Sequence, residues 1–357
     1  MKRTAPLAVL TVLLTVAMSL GCRAQNATPA ATTSLKEDFR RLVFADRQPS
    51  PLNPKQVAES TVGDVRVERV RFTPEAGYDA VALIHRPKAA GRYPTVIFQH
   101  FLGGTKDYIV FLPFYNMLAQ RGFLVAAIDG RFRGERQNGK SLDAAMVESL
   151  RTGKGHPFLL DTTYDITRLI DYLQTRPDVD PNRIGMTGFS EGGIITWMTT
   201  AVDDRIRVAV PIIGVTTFNE AIQVPEGAAG QARLKLFEPV LREHAKDLGE
   251  KEINQKVLRS AWEKLVPGML SRFDAPNVMP LIAPRPLLIL SHELDELFPV
   301  EGARKAHTAV QARYRELKAE DRLEHRVSPG LKHSAFSFPE VTGMIDWMER
   351  WLKAPAK

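Results

Sequence analysis

The chain has a single cysteine, Cys22, among its 357 residues. An intrachain disulfide is therefore excluded, even though disulfides are common in exported proteins. The sequence also lacks an H-E-x-x-H motif and any pair of cysteines, which leaves zinc chemistry without ligands at recognisable spacing. It contains no internal repeat and no low-complexity tract. We predict that the protein uses no metal and no cofactor.

The sequence also lacks the charge pattern of a nucleic-acid-binding protein. Its formal net charge is +7 at pH 7, but the cations form no arginine-rich helix and no basic run interleaved with aromatic residues. We therefore expect no nucleic-acid partner. Hydrophobic residues make up 44% and charged residues 25% of the chain, as in ordinary globular proteins. Nothing in the composition indicates an oligomeric state.

The longest apolar run is at the N-terminus. MKRTAPLAVLTVLLTVAMSLGC starts with two cations and continues with an uncharged, mostly apolar segment over residues 5–20. A charged start, a short apolar segment and a small residue at its end are typical of an export signal. The Gly-Cys pair resembles a bacterial lipobox, which predicts a signal over 1–22 and a membrane anchor through a lipid on Cys22. An ordinary cleavage near Ala24 and an uncleaved anchor are the alternatives.

Two kinds of strand pattern follow a polar N-terminal stretch. Residues 23–62 are polar and contain several prolines, which predicts a tether and an N-terminal arm. Apolar and charged residues alternate in 65–72 and 78–87, which predicts an antiparallel hairpin. Beyond the hairpin, short runs of buried-strand type alternate with amphipathic stretches. These runs lie at 95–100, 123–129, 183–189, 208–214 and 286–291.

The alternation of strands and helices predicts an α/β protein. Its sheet should be mainly parallel and covered by helices on both faces. Residues 216–280 interrupt the alternation, because they contain no strand-like run but two sets of apolar residues at helical spacing. We predict a helical insertion there, either as a lid or pocket wall or as two more core helices. The catalytic domain as a whole is predicted to span 63–357.

The clearest chemical motif is RIGMTGFSEGG, residues 183–193. A strand pattern runs directly into G-F-S-E-G-G, and a helix pattern follows. In a G-x-S-x-G elbow the serine lies on a strained turn between strand and helix, so its neighbours must be small. Gly188 and Gly192 meet that requirement. We predict Ser190 as a nucleophile, and the alternative is a glycine-rich turn with an idle serine.

A serine hydroxyl needs a base, and the base needs an orienting acid. In the chain order Ser…Asp…His both would follow the nucleophile. PLLILSHELDELFP ends a predicted strand and places Asp295 in a loop between Glu293 and Glu296. His333 follows a predicted strand at EHRV and precedes a C-terminal helix. The other seven of the eight histidines lie in strand or helix patterns or precede the acid, so we predict Asp295 as acid and His333 as base.

The tetrahedral intermediate of acyl transfer needs hydrogen-bond donors for its oxyanion. One donor should be the backbone N–H of Glu191, directly after the nucleophile. The second should come from the loop QHFLGGT after the first central strand. There we favour the N–H of Leu102, then that of Phe101, and expect His100 to brace the loop.

HFLGG, GFSEGG, IAPRPLLILSHELD and the late histidine together resemble the α/β-hydrolase superfamily. They are most similar to its dienelactone-hydrolase, acetyl-xylan-esterase and prolyl-oligopeptidase-type branch. The resemblance implies an α/β-hydrolase fold and a serine hydrolase. It carries the nucleophile, acid and base over to Ser190, Asp295 and His333, and the oxyanion loop to residues 100–104.

The chain departs from the family pattern at two places. The oxyanion loop usually begins His-Gly, whereas here Phe101 follows the histidine. The residue after the nucleophile is an acid, Glu191, whose carboxylate would repel an oxyanion unless a cation pairs with it. Three arginines of the loop DGRFRGERQ are available as partners: Arg131, Arg133 and Arg136.

The expected substrate is a small-molecule carboxylic ester, hydrolysed through an acyl-enzyme. We predict a pocket that includes Arg131, Phe132 and Trp262. The alternatives are a serine peptidase-like hydrolase of the same fold and a non-catalytic tethered binding protein. GERQNGKS (134–141) matches the phosphate-binding pattern G-x-x-x-x-G-K-[ST], but four residues separate it from the preceding strand pattern. Nucleotide hydrolysis is therefore a minor alternative.

Overall fold

The computed structural model describes residues 29–45, 47, 49–137, 139–223 and 228–353. The predicted export signal over 1–22, Cys22 and the cleavage site near Ala24 lie outside the described residues. Within these ranges, no helix is both long enough and apolar enough to cross a membrane.

In the described part of the chain, nine strands form one sheet in the order β1-β2-β3-β5-β4-β6-β7-β8-β9. Strands β1, β2, β3 and β5 pair antiparallel, and the pairs from β5 through β4 to β9 are parallel. The predicted α/β class with a mainly parallel sheet is thus confirmed. The strands are β1 Lys55–Val62, β2 Val65–Glu75, β3 Tyr78–Pro87, β4 Tyr93–Gln99, β5 Leu124–Ala127, β6 Val179–Phe189, β7 Ile206–Ile212, β8 Leu287–His292 and β9 Leu323–Ser328.

Helices cover both faces of the sheet. Side chains of α2 and α11 pack on one face, while those of α1, α4, α5 and α10 pack on the other. The α-helices are α1 Pro29–Phe44, α2 Leu112–Gln120, α3 Leu142–Thr152, α4 Leu160–Thr175, α5 Glu191–Val202, α6 Phe218–Ala221, α7 Ala228–Asp247, α8 Gln255–Leu265, α9 Ala275–Val278, α10 Val300–Glu316 and α11 Phe338–Leu352.

The buried parts of the central strands are mostly apolar because both of their faces are covered. In β4, Ile97 packs into the core on the α5 side, and its neighbours Val96 and Phe98 pack into the core on the α2 side. All three side chains are fully buried. Period-2 alternation between two apolar layers explains why these strands appear in the sequence as unbroken runs.

The N-terminal stretch contributes to the domain. The predicted arm over 23–62 contains α1, whose Phe39 and Val43 are buried in the core, and β1, which pairs with β2 at the edge of the sheet. Every residue of β1 is exposed. Because neither face of β1 is buried, its sequence KQVAESTV shows no strong apolar alternation. The predicted hairpin is confirmed as β2 and β3.

Residues 216–280 contain only helical elements in their described part, from α6 to α9. Helix α7 packs against α3 and α8. Val257, Leu258 and Leu265 of α8 join the apolar core. The segment therefore both extends the core and stands beside the carboxyl ends of β6 and β7.

Candidate active site

Ser190 occupies the junction between β6 and α5. It has φ 56° and ψ −114°, a left-handed backbone conformation that residues with a Cβ rarely adopt. Its N–H donates to the Ile212 carbonyl over 2.9 Å, and its carbonyl accepts from the Ile194 N–H over 3.0 Å. Hydrogen bonds to β7 and to α5 thus hold the strained turn in place.

The turn also requires glycines around the serine. A Cβ on Gly188 would lie 2.6 Å from the Gln99 carbonyl oxygen, and one on Gly193 would lie 2.7 Å from the Ile212 carbonyl oxygen. A Cβ on Gly192 would overlap the Gln99 carbonyl as well. Without side chains at these positions, α5 can start against the ends of β4 and β7.

The structure brings Ser190, His333 and Asp295 into one hydrogen-bonded row. His333 Nε2 lies 2.8 Å from Ser190 Oγ, and His333 Nδ1 lies 2.9 Å from Asp295 Oδ2. Asp295 Oδ1 accepts the backbone N–H groups of Leu297 and Phe298 at 2.8 Å and 2.7 Å. These two bonds fix the carboxylate in the orientation that faces the imidazole.

The acid and base loops are bound to each other by the glutamates that flank Asp295. Glu293 accepts the backbone N–H of Gly330 over 2.9 Å, and Glu296 accepts that of His333 over 3.3 Å. Phe298 stacks on the His333 ring, with 5.3 Å between centroids and 22° between planes. Both glutamates therefore serve the loop backbone, while Asp295 contacts the imidazole.

The loop after β4 is braced by His100. Its Nδ1 donates to the Phe101 carbonyl over 2.8 Å, and its Nε2 accepts the Gly130 N–H over 2.9 Å. Burial and the nearby Arg133 charge lower the pKa of His100 to about 4. A neutral imidazole is what this donor and acceptor arrangement requires.

The same brace orients the peptide between Phe101 and Leu102. The Phe101 carbonyl accepts from His100 and from the Gly104 N–H at 3.0 Å. In a trans peptide the N–H points opposite to the carbonyl, so the Leu102 N–H points away from these partners. It donates no hydrogen bond to any described residue. Leu102 and Glu191 line the same cavity as Ser190.

A second buried contact holds this loop against the loop after β5. The Asp129 carboxylate accepts the backbone N–H of Lys106 at 2.8 Å and the Lys106 ammonium at 2.8 Å. The side chain of Lys106 is fully buried. Burial lowers the pKa of Lys106, but the charges and hydrogen bonds of Asp129 and Asp107 together outweigh burial and raise the pKa above its usual value. No local sequence pattern predicts this pair, because the two residues are 23 positions apart.

Arg133 is the arginine that pairs with Glu191. Its two terminal nitrogens donate to the two carboxylate oxygens of Glu191 at 2.6 Å and 2.5 Å. Both side chains are buried. Burial raises the pKa of Glu191, and the Arg133 charge acts in the opposite direction. The pair neutralises the acid beside Ser190 and draws its carboxylate toward the β5 loop.

Arg131 and Phe132 were predicted to bind substrate, but the structure places both outside the cavity lining. The Arg131 guanidinium is buried and pairs with Asp165 at 2.7 Å and with Glu75 at 2.6 Å. It also lies over the Tyr78 ring, which Phe132 contacts edge-on. Arg131 thus ties α4 to the β2–β3 hairpin. Its carboxylate partners leave it no free charge for a substrate.

The stretch that matches a phosphate-binding loop has a different local structure. Gly134–Arg136 forms a single 3₁₀ turn. Ser141 caps α3, since its side-chain oxygen accepts the Ala144 N–H over 3.2 Å. Residue 138 lies outside the described residues. The hydroxyl expected to bind magnesium in such a loop is therefore engaged as a helix cap.

Ser190 opens onto a cavity of about 370 Å³. Trp262, predicted to bind substrate, lines it, as do His333 and both predicted oxyanion residues of the β4 loop. The remaining lining is mostly apolar and comes largely from the helical insertion. These apolar residues are Phe158, Phe189, Ile194, Ile213, Phe218, Ala221, Ile222, Leu234, Leu236, Phe237, Leu241, Leu258, Leu297, Phe298, Ala335 and Phe336.

One charged side chain that lines this cavity, Arg233, was not predicted from the sequence. Arg233, on α7, donates to the carbonyls of Glu296 and Ala221. It joins the insertion to the loop that carries Asp295. Its neighbourhood in the sequence, GQARLKLF, has no feature that would have marked it as part of the site.

Comparisons with known proteins match this chain to hydrolase and esterase families. The model of the Dienelactone hydrolase family matches residues 80–231, and that of Glucuronyl esterase, fungi, matches 159–318. The putative hydrolase YtaP of Bacillus subtilis (strain 168) is 30% identical over 292 residues, which is 78% of this chain and 86% of that protein. The putative esterase YitV of the same organism is 23% identical over 76% of this chain and 96% of that protein.

Solved structures share the fold at low sequence identity. The acetyl xylan esterase from Paenibacillus sp. R4 superimposes with a TM-score of 0.64 at 17% identity, covering 92% of this chain and 96% of that one. Acetyl xylan esterase 1 from Thermoanaerobacterium sp. JW/SL YS485 superimposes with a TM-score of 0.65 at 17% identity, covering 88% of this chain and 93% of that one. The chain is therefore a hydrolase of the α/β-hydrolase superfamily and belongs to its dienelactone hydrolase branch, and it shares its fold with the acetyl xylan esterases.

Proposed function

We propose that the chain is an exported serine esterase that hydrolyses carboxylic esters through an acyl-enzyme. The observation that carries the proposal is the row Ser190–His333–Asp295, hydrogen-bonded at 2.8 Å and 2.9 Å and open to a cavity. Export and a lipid on Cys22 are part of the proposal, on the residue pattern of 1–22.

In this mechanism Ser190 Oγ attacks the ester carbonyl as His333 Nε2 takes its proton. Asp295 holds the imidazole in the tautomer that presents Nε2 and stabilises the imidazolium. The oxyanion receives the N–H of Glu191 and, from the β4 loop, that of Leu102. The imidazolium then protonates the leaving alcohol, and water attacks the acyl-enzyme with His333 as base.

The cavity lining favours an ester with a sizeable apolar group. Phe158, Phe237 and Trp262 form an aromatic cluster with ring centroids 5.3–5.9 Å apart. Phe218 and Phe298 continue this cluster to the His333 ring. An acetyl group is much too small to fill a cavity of about 370 Å³. We propose a medium-length acyl chain or an aryl group as the part of the substrate held there.

A fluorophosphonate probe tests the proposed nucleophile. We expect one adduct, which peptide mass mapping places on Ser190 and which is lost in Ser190→Ala. Ser334→Ala is the matched control, since Ser334 lines the same cavity, and it should label like the wild type. No adduct on a protein that is folded by circular dichroism would favour the non-catalytic binding protein. Hydrolysis of p-nitroanilides as fast as p-nitrophenyl esters would favour the peptidase-like alternative.

Acyl-chain preference tests the proposed substrate class. Each methylene that enters an apolar cavity contributes about 0.8 kcal/mol, so kcat/KM should rise about four-fold per methylene from p-nitrophenyl acetate to the hexanoate. Trp262→Ala should flatten this rise. The same change at Trp351, which lies on α11 outside the cavity lining, should leave the slope unchanged. A second series of alkyl acetates lengthens the alcohol side of the ester in the same way. If kcat/KM does not change with chain length in either series, the proposed substrate class is contradicted.

A further inference from the structure

His292 is a buried histidine that the proposed mechanism does not use. It is the last residue of β8, and 1% of its surface is exposed. Its Nδ1 lies 2.8 Å from the Lys332 carbonyl oxygen, and its Nε2 lies 2.9 Å from Glu340 Oε2. The other oxygen of Glu340 accepts the Ser328 hydroxyl over 2.5 Å. His292 therefore bridges α11 and the loop that precedes His333.

Both ring nitrogens of His292 face acceptors. A carbonyl oxygen can only accept, so Nδ1 donates to Lys332, and a single proton then lies between Nε2 and Glu340 Oε2. A raised pKa of His292 favours the ionised form of this pair, imidazolium and carboxylate. Burial lowers the pKa of His292, but the hydrogen bond and charge of Glu340, together with the Lys332 carbonyl and the Asp295 charge, outweigh burial and raise the pKa. The His292–Glu340 contact is a buried, charge-assisted hydrogen bond.

The Lys332 carbonyl belongs to the peptide that leads into His333. The N–H of that peptide points opposite to the carbonyl, as in any trans peptide. It donates to Glu296 Oε2 over 3.3 Å. The peptide plane is thus held at both ends, by His292 on one side and by Glu296 on the other. Fixing this plane fixes where the His333 side chain leaves the backbone, between Asp295 and Ser190.

We propose that His292 is a positioning residue for the catalytic base. Its imidazolium, anchored on Glu340, holds the Lys332 carbonyl and thereby keeps His333 Nε2 within reach of the Ser190 hydroxyl. This proposal rests on the proposed function, in which His333 is the base. Helix α11 acts as the support, since Glu340 in its first turn anchors His292 from the side opposite the loop.

A purely structural role is the competing explanation. In that case the His292–Glu340 contact would only attach α11 to the sheet, and the bond to Lys332 would be incidental. The two roles use different ring nitrogens. Asparagine places its amide nitrogen where Nδ1 lies and can keep the bond to Lys332, whereas glutamine reaches the position of Nε2 and can keep the contact with Glu340. The pair His292→Asn and His292→Gln therefore separates the two roles.

The experiment measures kcat, KM and the thermal unfolding midpoint of both variants. The kinetics are measured at a temperature well below the unfolding midpoint of the less stable variant. We expect His292→Gln to lower kcat roughly 10- to 100-fold with KM within about two-fold, because a displaced base impairs only the transition state. His292→Asn should rescue kcat to within about three-fold of wild type, even where its unfolding midpoint is the lower one. His307→Gln, on α10, is the control and should match wild type.

The opposite order overturns the proposal. If His292→Gln keeps kcat and His292→Asn loses it, the contact with Glu340 is the important one and His292 is structural. Equal kcat in wild type and both variants overturns it as well. Fluorophosphonate labelling of wild-type Ser190 is measured in parallel, so that failure of the proposed function is recognised separately. An inactive, unlabelled wild type refutes the function, whereas a labelled wild type with an active His292→Gln refutes only the positioning role.

Discussion

Replacing Ser190 or His333 with alanine is expected to lower kcat about 10⁶-fold, and replacing Asp295 with asparagine about 10⁴-fold. In the proposed mechanism the serine and the histidine act in one proton transfer across the 2.8 Å contact between Oγ and Nε2. Removing either one removes the whole transfer. Asp295 acts one step further away, at His333 Nδ1, so that its loss leaves the nucleophile and base in contact but destabilises the imidazolium.

The double variant Ser190→Ala/His333→Ala is the sharper form of this prediction. If the two residues work as a unit, the double variant will be about as slow as either single variant, and the two losses will not multiply. Residual hydrolysis should then come from the oxyanion donors and substrate binding alone. Rates are measured with a p-nitrophenyl ester, with active-site titration to exclude wild-type contamination. Losses that multiply would mean that Ser190 and His333 contribute independently.

The same geometry explains which parts of the site were predictable from the sequence. Ser190 could be predicted from the sequence because its elbow needs several small residues at fixed spacing, and such a requirement leaves a local sequence motif. Asp295 and His333 followed from chain order and from their places after predicted strands. Strands β4 to β8 could be predicted from the sequence because burial on both faces gives continuous apolar runs. All of these signals lie within short stretches of sequence.

The errors concern features that depend on residues far apart in sequence. Arg131 was predicted to line the substrate pocket, where its charge could bind a substrate carboxylate, yet three carboxylates from β2 and α4 surround it. The partner of Glu191 could be narrowed to three arginines, and only the fold singles out Arg133. The exposed strand β1 left no pattern because neither of its faces is buried. The hydrogen bond between His292 and Lys332 joins residues 40 positions apart, so no local sequence pattern predicts it.

The buried pair of Glu191 and Arg133 leads to the second large expected effect. Arg133→Met should lower the free energy of unfolding by about 3–5 kcal/mol, because it leaves a carboxylate buried without a counter-charge. Activity should fall too, since Glu191 also supplies one of the two proposed oxyanion donors through its backbone N–H. Urea denaturation followed by tryptophan fluorescence gives the free energy of unfolding. Arg242→Met is the control: its partner Glu238 is exposed, and surface pairs contribute little.

The pH dependence of Arg133→Met distinguishes this cause from simple loss of packing. Burial already raises the pKa of Glu191 in the wild type, and Arg133 opposes that shift. Without Arg133 the folded-state pKa of Glu191 rises further above the unfolded value, so the stability lost relative to wild type should be smallest in acid and should grow as pH rises through the folded-state pKa. Arg133→Met/Glu191→Gln removes the titrating group and should recover most of the lost stability at neutral pH. A double variant no more stable than the single one would show that the guanidinium, through its contacts with the β5 loop, stabilises the site independently of Glu191.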